Sequence, residues 1–281
     1  MLKQGFKQLI VGLRRYRLWF LAFAFVGYSV VWTIVESVSY LLPAPRPEGL
    51  GVFSVMIVVG ICWGAYRVLP QKHVELRIKS IDTTIEVKFG DIFESEGLKA
   101  IPVNEFFDSD LGNHVASLSI HGQLIERFFS GHSESFDKLV ENELDGKPYE
   151  SVKRKSGRER RYSVGTTPVI DVKNERFLLP ALCYTDLGTL KASCDVPTLW
   201  KALTGLWSTA RNRANGDTVS VPLIGGGLAG IGLPPSQLLQ LILLSIVTAS
   251  RERHITSVIH IVLPWKCFEE IDLKALSNHW S

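Results

Sequence analysis

Acidic residues are missing from the first seventeen positions, which nevertheless carry Lys3, Lys7, Arg14, Arg15 and Arg17. Cysteine is scarce: Cys62, Cys183, Cys194 and Cys267 are the four in 281 residues, and none forms a CxxC. That scarcity excludes a disulfide-built secreted scaffold and fits reduced thiols facing a cytosol. Net charge is low as well, +3 with 46% apolar residues, which excludes a disordered chain. The small excess is local. Residues 1–70 hold seven Lys/Arg against two Glu, whereas residues 71–281 hold twenty-four against twenty-six acids. The large C-terminal part therefore lacks the basic surface that nucleic-acid binding needs, and no nucleic-acid partner is expected. No internal repeat is visible, and the length suits one sizeable domain plus an extra segment.

Charge is also absent from two long stretches. Residues 18–35 (LWFLAFAFVGYSVVWTIV) contain none, and the apolar pattern resumes after Glu36 toward Leu42. Residues 49–66 (GLGVFSVMIVVGICWGAY) form a second run, closed by Arg67. Eighteen helical residues reach about 27 Å, close to the apolar thickness of a bilayer. Between the runs, PAPRPEG at 43–49 has three prolines that cannot continue a helix. The reading is a transmembrane hairpin over residues 1–70 with spans at about 18–42 and 50–69. Trp19, Trp32, Tyr40, Trp63 and Tyr66 lie toward the span ends, as interfacial aromatics do. Lysine and arginine flank the outer ends while the turn has only Arg46, so both termini are expected in the cytoplasm. A signal peptide and a pair of buried core helices are the alternatives. The second run and the missing cleavage site oppose the first, and the length of uncharged sequence opposes the second. Glu36, near one end of its span, is expected to snorkel to the interface. Gly60 and Gly64 form a GxxxG, which suits either self-association or packing of the hairpin.

Past Pro70 the pattern changes. Residues 74–89 alternate like half-buried strands, and 98–103 form a short buried strand ending at Asn104. Residues 114–129 read as a helix. Residues 130–160 read as polar loop or hairpin, whose basic run (Lys153, Arg154, Lys155, Arg158, Arg160, Arg161) is either a solvated face or a contact for acidic lipid. Strand-like segments at 162–170, 176–183, 218–224 and 257–263 alternate with helical ones at 197–214 and 234–253, which indicates a layered α/β domain over 71–281. The last helix follows paired prolines, and these shorten its uncharged region below the length of a third span.

Chemistry concentrates in two places. Gly225, Gly226, Gly227, Leu228, Ala229 and Gly230 follow a buried strand and precede a helix. Such a turn can aim several backbone N–H groups at one anion. No Lys-Ser/Thr follows, so it is not a nucleotide-hydrolysing P-loop, and no ribose-binding acid stands at Rossmann spacing. Earlier, Gly90-Asp91-Ile92 ends one strand and Val103-Asn104 ends another.

Together these three pieces, in this order over residues 84–275, resemble a macro domain. The resemblance implies a three-layer α/β/α macro-like fold that binds ADP-ribose or a derivative and needs no cofactor. It implies that Asp91 accepts from the adenine amino group with backbone near Ile92 assisting, that Asn104 lies near the distal ribose, and that Gly225 to Gly230 hold the diphosphate. Trp265, just after the last strand, is a candidate for stacking on adenine or a packed tryptophan. Hydrolytic members carry Asn-Ala-Ala-Asn and a glycine-rich first loop. Here the stretch reads Asn104-Glu-Phe-Phe107-Asp-Ser-Asp-Leu-Gly112, with Phe107 at the second asparagine. Binding without catalysis is therefore expected. Glu105 or Asp108 would be the acids of the alternative, a membrane-tethered ADP-ribosyl hydrolase.

A two-span hairpin before a divergent macro domain resembles the membrane effectors of type II Thoeris antiphage defence. The match adds Tyr162-Ser-Val-Gly-Thr-Thr-Pro168 to the motifs above. That resemblance implies residence in a bacterial inner membrane and a signal nucleotide, histidine-ADP-ribose among the options, made from NAD by a TIR-domain partner. It further implies ligand-induced homo-oligomers that damage the lipid bilayer.

Overall fold

A long apolar segment away from water must satisfy its backbone polar groups internally, and the helix does so locally. The structure, a computed structural model, describes residues 2–41, 49–227 and 230–280, with side chains from Gly5 onward. It divides into two compact units, Met1–Gln71 and Lys72–Ser281.

In the first unit, α1 (Leu2–Arg15), α2 (Arg17–Leu41) and α3 (Leu50–Arg67) follow one another. The basic start is expected from its charges only to flank the first span. Its apolar residues Phe6, Leu9, Ile10 and Leu13 recur at helical spacing instead, and α1 forms. Helices α2 and α3 are long and apolar enough to cross a membrane, 25 and 18 residues, and most of their large apolar side chains face outward. These two helices are consistent with a transmembrane hairpin. The proline-rich turn at 43–48 lies outside the described residues. Within the pair, Thr33 and Ser54 return their hydroxyls to the carbonyls of Ser29 and Leu50, each at 2.8 Å.

The GxxxG has a definite use here. A Cβ on Gly60 would stand 2.6 Å from the Ala24 carbonyl oxygen, and one on Gly64 would stand 2.9 Å from that of Phe20. A Cβ on Gly27 would stand 2.9 Å from the Trp63 Cβ. Small residues thus let α3 approach the α2 backbone within one chain.

The second unit contains β1 (His73–Arg77), β2 (Thr84–Phe89), β3 (Leu98–Ala100), β4 (Val103–Asn104), α4 (Ile120–Phe129) and α5 (Ser133–Leu144). Then come β5 (Tyr149–Ser151), β6 (Arg160–Tyr162), β7 (Val169–Val172), β8 (Glu175–Leu178), β9 (Ala181–Thr185) and β10 (Ala192–Ser193). The chain closes with α6 (Val196–Arg213), β11 (Val219–Pro222), α7 (Pro235–Glu252), β12 (Val258–Leu263) and α8 (Leu273–Trp280). Seven strands form one sheet in the order β1-β2-β12-β11-β3-β8-β7. The inner pairings from β2 to β8 are parallel, and the two edge strands, β1 and β7, are antiparallel.

Ile259 to Leu263 are buried without alternation, as a strand covered on both faces requires. One face packs α4 and α5 through Phe93, Leu124, Ile125, Phe136, Val140 and Phe177. Trp207 of α6 donates to Ser245 of α7 at 2.9 Å in the other layer. This is the three-layer α/β/α arrangement of a macro-like domain.

Two sequence expectations change. The helix expected over 114–129 starts only at Ile120, because the Ser119 hydroxyl caps it by accepting from the Gly122 amide at 2.9 Å. The expected loop at 130–160 contains α5, whose buried Phe136, Val140 and Leu144 recur every four residues. Its many acids dilute that stripe, so polarity masked periodicity. Short α8 has no counterpart among the sequence expectations.

Two neighbouring strands break at proline. Pro102 separates β3 from β4 and Pro180 separates β8 from β9, where the missing N–H interrupts the ladder. Pairing brackets the break: Ile101, before Pro102, donates to Leu178 at 2.8 Å, and Val103, after it, donates to Pro180 at 3.0 Å. The continuation carries Asn104 past the rim of the main sheet.

Candidate functional site

The carboxyl ends of parallel strands in open α/β sheets are where ligands bind. Because β2, β12, β11 and β3 are consecutive neighbours, the segments that follow them line one edge. Those segments begin at Asp91, Trp265, Leu223 and, through β4, Asn104. The order of strands therefore gathers the candidates that the sequence scatters over some 170 positions.

Asp91 follows β2, where the Gly90 amide donates to Leu263 of β12 at 2.9 Å. One of its oxygens accepts from the Phe93 amide at 3.1 Å and starts a 3-10 turn with Ile92. The other pairs with Arg127 of α4 at 2.7 Å. Arg127 in turn lies 4.6 Å over the Phe93 ring. The half-buried carboxylate is thus oriented and keeps acceptor capacity, since a carboxylate offers about four lone-pair sites. Ile92 is buried in the α4–α5 core.

Asn104 is turned into its own loop. Its carbonyl oxygen accepts from the amides of Phe106 and Asp108 at 3.2 and 3.1 Å, and its amide donates to Asp108 at 3.0 Å. Phe107 is fully buried, edge-on to Tyr162 at 5.5 Å, with φ of 55°. Phe106 in the same loop is fully buried as well. Glu105 is buried too and accepts from the Thr185 amide and hydroxyl at 2.8 and 3.1 Å. Burial raises its pKa despite those bonds and the nearby Arg161.

The glycine turn divides its labour. Gly225 has φ of 88°, and a Cβ there would collide with the Ile231 side chain. The Ile224 and Gly226 amides close the turn on the carbonyls of Pro222 and Leu223, at 2.8 and 3.2 Å. The intervening N–H groups of Gly225 and Gly227 have no partner among the described residues. Alternate amides on one turn are the arrangement an anion can bridge. A Cβ on Gly227 would meet nothing within 4 Å. Leu228 and Ala229 lie outside the described residues, and Gly230 follows with φ of 67°.

Trp265 stacks on Phe89 at 5.7 Å and still exposes 40% of its surface. It is both packed and presented. No group of His, Cys, Asp and Glu among the described residues could hold a metal.

Sequence reasoning missed the arginines around this edge. The run at 153–161 was read as solvated or lipid-facing, yet the Arg154 side chain is 2% exposed and pairs with Asp108, itself 1% exposed, at 3.0 Å. Arg158 binds the Phe107 carbonyl, Asp137 and Glu141 at 3.2, 3.4 and 2.7 Å. Gly157, with φ of 86°, lets the β5–β6 loop fold over them: a Cβ there would stand 2.8 Å from Asp108. A lone glycine amid the basic run was the available signal.

Behind the Asn104 loop, α4 buries His121 against Phe136 at 5.4 Å. Burial takes its pKa from 6.5 down to about 4, although Asp108 pulls the other way. The folded chain then binds fewer protons than the unfolded one at acidic pH, so this contribution is complete above 6.5 and is lost toward 4. About 2 kcal/mol of stability should disappear between pH 7 and pH 5. In denaturation of the full chain, His121→Leu should remove that part of the acid sensitivity. An unchanged pH dependence would place its origin elsewhere.

Comparison with known proteins finds similar chains. The Oceanobacillus iheyensis macrodomain with MES bound is 15% identical, covering 74% of this chain and 98% of its own, with a TM-score of 0.47. The same organism's macrodomain with ADP is 15% identical over 74% and 96%, with a TM-score of 0.47. No curated protein matches the chain. The family described as the macro domain of the Thoeris protein ThsA matches residues 85–264, a span from β2 to the residue after β12 that includes the Asp91, Asn104 and Gly225 segments. By that match the chain belongs to the Thoeris ThsA macro-domain family.

Proposed function

We propose that this chain is an antiphage-defence membrane effector whose macro domain senses an ADP-ribose-derived signal, with histidine-ADP-ribose as the first candidate. In this reading α2 and α3 cross a bacterial inner membrane, and both termini and the macro domain lie on the cytoplasmic side. A TIR-domain partner supplies the signal. The observation that carries the reading is the convergence of Asp91, the Asn104 loop, the Gly225–Gly227 amides and Trp265 on one sheet edge, in a chain that opens with two apolar helices. Asp91 suits an adenine amino donor, the unpaired glycine amides suit a diphosphate, and the open side of Trp265 suits a base.

A ligand can drive assembly only by binding the assembled form more tightly than the monomer. Two spans per copy cannot line a wide opening, so bilayer damage requires several copies. The domain acts as a sensor rather than a hydrolase. Supporting this, Phe107 replaces the second asparagine, and Glu105 and Asp108 are both committed to partners within the protein.

The test uses full-length protein in dye-loaded vesicles of bacterial lipid. Histidine-ADP-ribose should release dye, increase oligomer size in cross-linking, and be recovered intact. Ligand consumed without leakage would favour the tethered hydrolase, and no binding at all would sink the sensor reading.

A further inference from the structure

Helix α1 is amphipathic, yet the side it turns to the protein is not its apolar one. Val11 is buried, and so is the side-chain amide nitrogen of Gln8. A Cβ on Gly12 would collide with the Val68 carbonyl oxygen and stand 3.1 Å from the Pro70 ring. Through Gly12, α1 is therefore seated against the chain that leaves α3. At about 100° per residue, Phe6, Leu9 and Leu13 share a stripe on a side away from Val11 and Gln8. Phe6 is 67% exposed, and Leu9 and Leu13 are half-buried. Lys7 and Arg14, seven positions apart and both exposed, form a second stripe beside the first. An apolar stripe thus stands uncovered next to positive charge, on a helix without a single acid.

The place of α1 in the chain selects its partner. Only Tyr16 separates it from α2, and backbone bonds run through that residue. The Tyr16 amide donates to Gly12 at 2.9 Å, and its carbonyl accepts from Phe20 at 2.8 Å. Helix α1 thus meets the hairpin where α2 begins and α3 ends, the end that also carries Arg17 and Arg67. In a hairpin that crosses a bilayer, this is the level of the headgroups. A helix held there buries an apolar stripe by lying along the surface, with its basic residues against lipid phosphate. A second copy of α1 would instead bring the same positive charges against its own.

We propose that α1 is an in-plane surface helix that binds anionic phospholipid, with Phe6, Leu9 and Leu13 among the acyl chains and Lys7 and Arg14 on the headgroups. This inference rests on α2 and α3 spanning a membrane, and it adds a lipid preference to that anchor.

The experiment places a bimane on Phe6→Cys in the full-length chain, after Cys62→Ala and Cys194→Ser remove the two native thiols that are not buried. The protein is reconstituted into vesicles of phosphatidylglycerol and phosphatidylcholine in equal amounts, with a nitroxide on the acyl chain of one lipid or of the other. Quenching should be at least about threefold stronger when phosphatidylglycerol carries the nitroxide, within the roughly fivefold that one basic residue near the surface is worth. In Lys7→Gln/Arg14→Gln the two lipids should quench equally. Salt at about 0.5 M should equalise them in the charge-intact chain, because it screens the headgroup contacts. The salt arm decides the matter should the double variant fail to insert. Absence of quenching by either lipid would mean that another copy or water meets the stripe, and would overturn the inference. Equal quenching in the charge-intact chain at low salt would overturn it too, as would a preference that survives either treatment. All three results would leave the hairpin reading intact. A protein that does not float with the vesicles would instead remove the hairpin reading on which the inference rests.

Discussion

Asp108→Ala is expected to cost the macro domain about 3–5 kcal/mol, because it strands a buried arginine. Asp108 accepts from the Arg154 side chain at 3.0 Å, the Arg158 amide at 2.9 Å and the Asn104 amide at 3.0 Å. Removing it leaves three donors and a buried positive charge without their acceptor. Chemical denaturation of the full chain in detergent measures the loss. Alanine at Arg158, whose side chain is partly exposed and shares two acids, should cost distinctly less. A loss below about 1 kcal/mol for Asp108→Ala would mean that the loop simply opens and rehydrates its arginine.

Gly227→Phe should separate binding from folding. The glycine has open space where a side chain would begin, so the fold should accept the ring with little change in the unfolding midpoint. The same ring would stand beside the Gly225 and Gly227 N–H groups, which have no partner among the described residues, and keep an anion from reaching them. Loss of two charge-assisted hydrogen bonds predicts at least about a hundredfold weaker binding of ADP-ribose. Gly225→Phe is the contrasting case, since its positive φ and the Ile231 contact make the residue structural. Undiminished affinity in Gly227→Phe would show that the phosphates sit elsewhere.

The layered order of the domain was legible in sequence because buried strands such as 258–263 are continuous apolar runs and long helices such as α6 carry a plain stripe. The glycine turn and Gly90-Asp91-Ile92 stood out for a related reason: each is fixed by neighbours in the chain. What escaped depends on distant partners. Arg154 is indistinguishable from a surface arginine until Asp108, forty-six residues earlier, is placed against it. Helix α5 escaped because Phe136, Val140 and Leu144 stand among acids that face away from the core. Phe107 was legible as a replacement, but not as a plug, since its burial comes from Tyr162 on another strand.

The way α3 nests on α2 bears on how substitutions in the hairpin would be interpreted in a test of the proposed function. Bulk placed at Gly60 or Gly64 would meet the Ala24 and Phe20 carbonyls of the same molecule before it met any neighbour. An inactive variant at either position would thus report a hairpin that never closed. Under the proposed function, contacts between copies would fall on the outward flank, where Leu21, Phe25 and Trp32 project.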